Sequence, residues 1–369
     1  MSSSFSSSSS SSSSCSTHRN NENGFTGFVN LGNTCFLNAC LQCLNHTYEL
    51  QNIFENPKIV AYMQSQTQSD NSILTAEWKD LCRMMWERNG AIRPNRFLRA
   101  VHVVATRKNK DLFTNYSQND ICEFLLFMID AMHESICRNV EVKITGNVET
   151  VVDKMALASY DLLKKVYATE YSEVMELFYG MYVTVILDHA QNETLCIHPE
   201  QFFILDLQLF HANHRYANIY ECFDAFTKPE FMHGDNQWLN ENTGEKEEVY
   251  KVTTFWSLPD VLVLCLKRFS SDGNRKIQHL VDFPLSGLDL GKYVKGYRSQ
   301  KYIYDLYGVC NHMGGIQGGH YTANIKHLNG HWYNFNDTIC RPIENPTEII
   351  SPSAYCLFYR IRKEPKMQN

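Results

Sequence analysis

The apolar residues of this chain change their spacing near its middle, and that change limits the folds open to it. In the first half they recur every three or four residues, as on one face of an α-helix. That spacing predicts helices at residues 35–44, 74–86, 118–133 and 154–166. In the second half, β-branched and aromatic runs between Gly, Asn and Asp clusters are typical of strands. They predict strands at residues 181–187, 202–209, 249–256, 261–266, 303–309, 321–326, 332–335 and 355–359. Helices followed by strands predict an α+β fold with a helical lobe and an antiparallel-sheet lobe.

The composition places most of the chain in the globular class. Its 369 residues are enough for two or three domains, or for one large domain with lobes. Hydrophobic residues make up 44% and charged residues 20%, which is typical of a packed core. Residues 1–24 are the exception, because a serine run followed by polar residues cannot bury apolar area. We expect a disordered tail there and an ordered domain from Phe25 onward.

Charge and cysteine content indicate where such a chain works. The net charge of −6 argues against nucleic acid or an anionic membrane as a partner. No run of 18 apolar residues predicts a transmembrane helix, and residues 1–17 lack the apolar segment of a secretory signal. Without such a signal, we expect most of the 13 cysteines to be reduced and buried in an intracellular protein, cytoplasmic or nuclear.

Cys35 is the first candidate for chemistry. Residues 30–34 (NLGNT) predict a turn, in which Gly32 permits a positive φ and Asn33 or Thr34 can cap a helix. Cys35 then lies in the first turn of the predicted helix, where the helix dipole lowers the pKa of a thiol. On its own, a cysteine at a helix start is more often structural than catalytic.

A matching base and orienting group lie near the other end of the sequence. His320 follows two glycines and opens a predicted strand, which is a rigid place for a general base. Asn336 or Asp337 would orient it, as the third member of a Cys–His–Asn/Asp triad does. Adjacent residues on a strand face opposite sides, so only one of the two is expected to contact His320. With 14 histidines in the chain, the residues alone leave a structural role open for His320.

Five segments, in a fixed order, resemble the motifs of the ubiquitin-specific protease family. GFVNLGNTCFLNACLQCL at residues 27–44 is similar to the family's cysteine box. Residues 307–326 (YGVCNHMGGIQGGHYTANIK), with WYNFND at 332–337 and AYCLFYR at 354–360, are similar to its histidine box and closing strand. Between them lie QNDICEFL at 118–125, LPDVLVLCLKRF at 258–269 and FPLSGLDL at 283–290. Together the segments cover about residues 25–362.

The resemblance implies a fold and a reaction. The fold is a papain-like cysteine protease core, with a helical thumb at about residues 25–170, an antiparallel-sheet palm and fingers at about 171–362, and a tail at 363–369. The reaction is thiol-dependent hydrolysis of the isopeptide or peptide bond after the C-terminal glycine of ubiquitin, through a thioester acyl-enzyme. Ubiquitin and ubiquitinated proteins would be the partners of a monomeric enzyme that needs no cofactor.

The resemblance also implies roles for single residues. Cys35 matches the family's nucleophile and His320 its general base. Asn336 matches the orienting residue, which favours it over the neighbouring Asp337. Asn30 matches a side chain that stabilises the oxyanion as negative charge develops in the transition state.

A second group of residues would recognise the C-terminal tail of ubiquitin. Asp120 and Glu123 are one helical turn apart and share a face, and the family uses these positions to hold the tail arginines. Without the resemblance, a solvated acidic helix face would explain both. Gln118 belongs to the same motif and is assigned to substrate binding. Tyr321 would line a channel that admits only a Gly-Gly tail, under a mobile glycine-rich loop at residues 314–319.

The chain departs from the family in the fingers, where many members bind a structural zinc with two CxxC pairs. The corresponding residues 187–190 (LDHA) and 240–243 (NENT) contain no cysteine, so we expect no metal. The alternative function is a catalytically inactive ubiquitin-binding module on the same fold, and every catalytic position here holds a suitable residue. A transglutaminase-type acyl transferase is a further alternative, which the GGHY and NLGNTC motifs disfavour.

Overall fold

A computed structural model describes residues 19–65, 69–115, 117–212, 214–269, 275–315 and 318–363 of the chain. Its α-helices are α1 (Cys35–Asn45), α2 (Tyr48–Glu55), α3 (Pro57–Ser65), α4 (Asp70–Glu87), α5 (Asn95–Arg107), α6 (Ile121–Ile136), α7 (Val151–Glu170), α8 (Glu173–Phe178) and α9 (Ile219–Phe226). Short 3₁₀ helices lie at Asp111–Phe113, Gly234–Asn236, Gly291–Tyr293, Ser299–Lys301 and Pro346–Ile349.

The strands follow mostly in the second half. They are β1 (Gly27–Phe28), β2 (Ala91–Ile92), β3 (Gly180–Asp188), β4 (Thr194–Phe202), β5 (Ile204–Leu207), β6 (Phe210–His211), β7 (His214–Arg215), β8 (Glu230–Met232), β9 (Trp238–Leu239), β10 (Lys246–Glu247), β11 (Val249–Ser257), β12 (Val261–Leu266), β13 (Ser286–Asp289), β14 (Ile303–Gly315), β15 (Gly318–Lys326), β16 (Trp332–Asn336), β17 (Ile339–Ile343) and β18 (Ala354–Ile361). The predominance of helices before Gly180 and of strands after it confirms the α+β prediction.

The four predicted helices correspond to α1, α4, α6 and α7. Helices α2, α3, α8 and α9 were not predicted, because at nine residues or fewer each spans too few turns to be distinguished from a short strand or a loop by its apolar spacing. Helix α5 follows Pro94 and is rich in β-branched valine, which lowers helix propensity. It forms because Phe97, Leu98, Val101 and Val104 are buried. No helix in the described ranges is long and apolar enough to span a membrane.

The largest sheet, here called the palm, has the strand order β17-β16-β15-β14-β18-β12-β5, with β13 also paired to β14. Its neighbouring strands are antiparallel except β12 and β5, which run parallel at one edge. The predicted strand at 303–309 continues to Gly315, because β14 and β15 form a long hairpin in which Gly315 pairs with Gly318. Pairing with β15 therefore extends β14 through residues that are too polar for the sequence to predict a strand there.

A second sheet, here called the fingers, is antiparallel with the order β4-β3-β11-β8. The predicted strand at 202–209 belongs to both sheets. Phe202 ends β4 in the fingers, and Ile204 begins β5 in the palm. The chain passes from one sheet to the other at the single residue between them.

Helix α1 is buried along its whole length, between α6 and the palm strands β14 and β15. Its polar residues Asn38, Gln42 and Asn45 are buried with the rest. A buried amide needs a hydrogen-bond partner. Gln42 Nε2 donates to the backbone oxygen of Thr26 at 2.9 Å, and Asn45 Nδ2 lies 3.3 Å from the sulfur of Met85. These contacts fix the rotation of α1 about its axis, and with it the direction of its first side chain.

Residues 19–24, which the composition assigns to the tail, pack on the helical half. The Arg19 side chain is 8% exposed and lies 3.1 Å from the Glu55 carboxylate. It also donates to Gln51 Oε1 at 3.0 Å. Composition could not predict this contact, because both partners lie on α2, about thirty positions further along the chain. Residues 1–18 and 364–369, the rest of the two predicted tails, lie outside the described residues.

Side-chain hydrogen bonds close the two turns of the fingers where the family places zinc ligands. Asp188 Oδ1 accepts from the backbone N–H groups of Asn192 and Glu193, each at 2.7 Å. Asn240 Nδ2 donates to Glu247 Oε1 at 2.8 Å in the β9–β10 hairpin, which lies between β8 and β11 in the sequence. Among the described residues, no three His, Cys, Asp or Glu side chains are grouped to hold a metal. The lack of zinc stays a prediction.

We predict that Arg19→Ala lowers the free energy of unfolding by about 1–2 kcal/mol. The change removes a mostly buried charge-assisted contact, and such contacts contribute about 1.5–3 kcal/mol. Solvent screening lowers this contribution, because Glu55 is 44% exposed. Arg83→Ala is the control, because Arg83 also pairs with a glutamate on the helical half but is 54% exposed. Urea unfolding should show at most about 0.5 kcal/mol for that control. Equal effects of the two variants would contradict the packing of residues 19–24.

Candidate active site

A turn closed by its own side chains precedes α1. Asn30 Oδ1 accepts from the backbone N–H groups of Gly32 and Thr34, each at 3.1 Å. Gly32 and Asn33 have φ angles of 107° and 56°, in the left-handed region that these residue types adopt most readily. Thr34 occupies the cap position, although its hydroxyl accepts no hydrogen bond from the helix. The turn makes Cys35 the first residue of α1.

The structure reverses the predicted pKa shift of the Cys35 thiol. The side chain is only 3% exposed, and burial raises the pKa because the thiolate loses its hydration. The backbone N–H groups of Tyr321 and Phe36 lower the pKa, and the carboxylate of Asp337 raises it. The helix start thus acts in the predicted direction, but burial is the larger effect.

His320 and Asn336 form a hydrogen-bonded pair on neighbouring palm strands. His320 Nε2 lies 2.7 Å from Asn336 Oδ1. An amide oxygen only accepts, so Nε2 is the donor in this contact. Among the described residues, the other ring nitrogen, Nδ1, has no hydrogen-bond partner.

Asp337 faces the thumb instead of His320. Its Oδ1 accepts from Asn38 Nδ2 at 2.7 Å, and its Oδ2 from Asn30 Nδ2 at 3.1 Å. Its φ of 49° turns the chain after β16, so its side chain leaves the direction of Asn336. The motifs did not point to Asn38. The available signal was a polar residue one helical turn after Cys35 on a largely apolar helix.

Asp120 and Glu123 share a helix face but have different surroundings. Asp120 caps α6, with Oδ1 accepting from the backbone N–H groups of Cys122 at 2.7 Å and Glu123 at 3.2 Å. Its Oδ2 accepts from the Tyr355 hydroxyl at 2.6 Å. Burial raises the pKa of Tyr355, so that hydroxyl stays protonated and donates. Glu123 is exposed, and within the described part of the chain its carboxylate has no partner.

Gln118 contacts the chain next to His320. Its Nε2 donates to the backbone oxygen of Gly319 at 3.0 Å, and its Oε1 accepts from the backbone N–H of Gly319 at 2.8 Å. A Cβ atom on Gly319 would lie 2.1 Å from His312 Nε2, which explains why glycine precedes His320. Sequence reasoning did not single out His312.

A groove of about 190 Å³ runs between the start of α6 and the β14–β15 hairpin. Burial, with the charge of Lys276 adding to it, lowers the pKa of His312 to about 4, so this side chain is neutral at pH 7. Residues 316–317 of the predicted mobile loop lie outside the described residues, and its mobility stays a prediction. The groove is lined by Gln118, Asn119, Asp120, Phe269, His312, Gly315, Gly319 and Tyr321.

The predicted site residues thus fall into two adjoining groups. The first lies where the start of α1 meets β15 and the turn after β16, and consists of Asn30, Cys35, His320, Asn336 and Asp337. The second lies at the start of α6, where Gln118, Asp120 and Tyr321 line the groove and Glu123 follows Asp120 by three residues. The backbone of Tyr321 joins the groups, since its N–H faces the Cys35 sulfur.

Comparison with known proteins identifies the family. Residues 26–359 match the family described as ubiquitin carboxyl-terminal hydrolase. Ubiquitin carboxyl-terminal hydrolase 2 of Homo sapiens is 30% identical over 353 residues, which are 93% of this chain and 56% of that protein. Ubiquitin carboxyl-terminal hydrolase Usp2 of Drosophila melanogaster is 31% identical over 341 residues, which are 91% of this chain and 35% of that protein. The chain therefore spans about a third to just over half of the length of these relatives.

Solved structures share the fold. A chain of the SAGA DUB module Ubp8/Sgf11/Sus1/Sgf73 bound to monoubiquitin matches with a TM-score of 0.67 and 25% identity, over 93% of this chain and 70% of that chain. The same module bound to ubiquitin aldehyde matches with a TM-score of 0.66 and 25% identity, over 95% and 72%. The fold is the papain-like fold of the ubiquitin-specific proteases, as the sequence motifs predicted. The chain belongs to the ubiquitin carboxyl-terminal hydrolase family.

We predict that alkylation of Cys35 by iodoacetamide is slow at pH 7 and speeds up as the pH rises past 9.0, the ordinary value from which its pKa is raised. Only the thiolate reacts, and a raised pKa keeps the thiol protonated until higher pH. Asp337→Asn should move the rate curve to lower pH, because it removes a charge that raises the pKa. Glu241→Gln, an exposed change in the fingers, is the control. Mass spectrometry would contradict the prediction if the midpoint lay below 9.0 or if Asp337→Asn moved it upward.

Proposed function

We propose that this chain hydrolyses the isopeptide or peptide bond after the C-terminal glycine of ubiquitin, with Cys35 as nucleophile. The observation that carries the proposal is the pairing of His320 with Asn336 beside the start of α1. It leaves Nδ1 of His320 free to take a proton, next to a cysteine that the fold has buried at a helix start. Nucleophile, base and orienting group are the parts that cysteine acyl transfer requires.

Proton transfer explains how a thiol with a raised pKa attacks. His320 Nδ1 takes the proton from Cys35 as Sγ bonds to the scissile carbonyl carbon, so no free thiolate has to persist in the buried site. His320 then gives that proton to the leaving amine, and a thioester remains. Water attacks the thioester with His320 again as base, which releases the glycine carboxylate and restores the thiol. Asn336 holds Nε2–H throughout and so fixes the tautomer.

Asn30 would stabilise the oxyanion of the tetrahedral intermediate. One N–H of its amide is bound to Asp337 at 3.1 Å, and its oxygen closes the turn before Cys35. The amide is therefore fixed before substrate arrives, and its second N–H remains to donate. A donor held in place in this way stabilises charge that develops in the transition state without reorganising.

The groove at the start of α6 suits an extended glycine tail. Gly319 lies against it without a side chain, so a substrate backbone can approach closely, and Tyr321 forms part of its wall. Glu123, three residues after Asp120, presents an exposed carboxylate with no partner among the described residues, as binding of a cationic tail residue would require. Asp120 already accepts three hydrogen bonds within the chain, so its contribution to binding is partly to hold α6 in place.

The alternative, an inactive ubiquitin-binding module, would keep the groove and lose a member of the triad. Here Cys35, His320 and Asn336 are all present, and the last two are in contact. The related SAGA DUB module contains three further proteins beside Ubp8. For this chain we propose a monomeric enzyme in the cytoplasm or nucleus, acting on ubiquitinated proteins.

We predict that ubiquitin carrying a C-terminal electrophile forms one covalent adduct with this chain, at Cys35. Cys35→Ala should abolish both the adduct and cleavage of a ubiquitin C-terminal amide, while ubiquitin still binds. Cys40→Ala is the matched control, because Cys40 lies on the same helix but is fully buried. Peptide mapping of the adduct to Cys40 or Cys43 would contradict the assignment. Stronger labelling by another modifier with the same electrophile would contradict the proposal that ubiquitin is the substrate.

We predict that Glu123→Gln raises KM for a ubiquitin C-terminal amide about tenfold and leaves kcat nearly unchanged. A charge-assisted contact formed equally in ground and transition state affects binding alone, and exposure keeps its worth near the low end of about 1.5–3 kcal/mol. Glu141→Gln, an exposed acid away from the groove, should change neither constant. An unchanged KM in Glu123→Gln would show that Glu123 does not bind substrate and is only part of a solvated helix face.

A further inference from the structure

Strand β15 has one free edge, and His320 lies on it. On one side, β14 pairs with β15 from Gly318 onward. On the other side, β16 pairs only from Ala323 onward. The segment from 318 to 322 therefore needs partners from outside the sheet for the backbone groups that point away from β14.

The thumb supplies those partners at alternate residues. In an antiparallel pair, every second residue points both its N–H and its C=O away from the neighbouring strand. Gly319 is such a residue, because both groups bind Gln118, at 2.8 and 3.0 Å. Tyr321, two residues on, points its N–H at Cys35. His320 thus lies between two backbone positions that the thumb holds.

At this edge the side chain of Gln118 makes the hydrogen bonds that the backbone of a neighbouring strand would otherwise make. Its planar amide offers one acceptor and one donor to a single residue, and two bonds fix orientation as well as position. From the other side, His312 leaves no room at Gly319 for even a Cβ atom. Gly319 is consequently clamped between Gln118 and His312, one residue before the imidazole.

The loop that carries Gln118 is itself held in place. The next residue, Asn119, is 9% exposed and donates from Nδ2 to the backbone oxygen of Ser117 at 3.1 Å. Asp120 follows as the cap of α6 and binds Tyr355. The amide of Gln118 is therefore a fixed support, joined through α6 to the body of the thumb.

We propose that Gln118 is a positioning residue for His320, rather than a group that binds substrate. The oxygen and the nitrogen of its amide both already bind the backbone of Gly319. Any further hydrogen bond from this amide to a substrate would therefore be weak. Its role is to fix the backbone before His320, so that Nδ1 meets the Cys35 proton at the right distance. This inference rests on the proposed hydrolysis for its kinetic part, and on the β15 edge alone for its structural part.

The kinetic test compares Gln118→Ala with Ser117→Ala, an exposed neighbour whose side chain has no partner within the described residues. Steady-state cleavage of a ubiquitin C-terminal amide should show kcat lowered about tenfold to hundredfold in Gln118→Ala, with KM changed by less than about twofold. Ser117→Ala should match the wild type in both constants. A raised KM with unchanged kcat would overturn the inference and return Gln118 to substrate binding.

Hydrogen exchange gives a readout that does not depend on activity. In the wild type the Gly319 amide should be protected, and Gln118→Ala should make it exchange faster, while amides of Ala323 to Lys326, paired with β16, keep their protection. Unchanged exchange at Gly319 would overturn the inference even if kcat fell. A wild-type chain that cleaves no ubiquitin amide would overturn the proposed function alone, and the exchange result would still decide whether Gln118 clamps the strand.

Discussion

The docking of the thumb on the free edge of β15 is the contact on which the rest of the site depends. Cys35 comes from the first helix and His320 from a strand almost three hundred residues later, so their geometry is only as accurate as this junction. Hydrogen bonds accompany the apolar packing at this junction: Gln118 binds Gly319, Asp120 binds Tyr355, and the backbone N–H of Ile121 faces the Tyr321 hydroxyl. Apolar packing alone tolerates sliding, whereas hydrogen bonds lose their partners when the two surfaces slide.

Burial shapes the chemistry of the site as much as its geometry. The same packing that immobilises α1 raises the pKa of Cys35, and it lowers the pKa of His312 to about 4. A buried thiol is less accessible to other reagents, and in the proposed reaction His320 removes its proton during attack. The order of effects at Cys35 explains why a helix start alone is a poor guide to thiol reactivity: the N–H groups act locally, and the surrounding core outweighs them.

Much of this could be predicted from the sequence, because period and motif report on local structure. The α+β class, the helices α1, α4, α6 and α7, and most of the palm strands, though not β13 and β17, followed from spacing. What the sequence could not show were contacts between distant segments. Nothing local indicates that Arg19 reaches α2, that Asp337 accepts hydrogen bonds from Asn38 and Asn30, or that Asp120 accepts one from Tyr355. The predicted direction of the Cys35 pKa shift was wrong for the same reason, since burial is a property of the assembled core.

The place of β18 in the palm bears on how the chain is made. Residues 354–361 lie between β14 and β12, in the interior of the sheet rather than at its edge. While a ribosome synthesises the chain, the thumb helices and the fingers emerge first. Strands β14 and β12 lack the strand that pairs with both of them until β18, which ends at residue 361, has left the exit tunnel. Pairing across so large a sequence separation is slow and comes late. In a chain that stalls before β18, the palm stays divided into two parts, and β14 and β12 each present an open sheet edge.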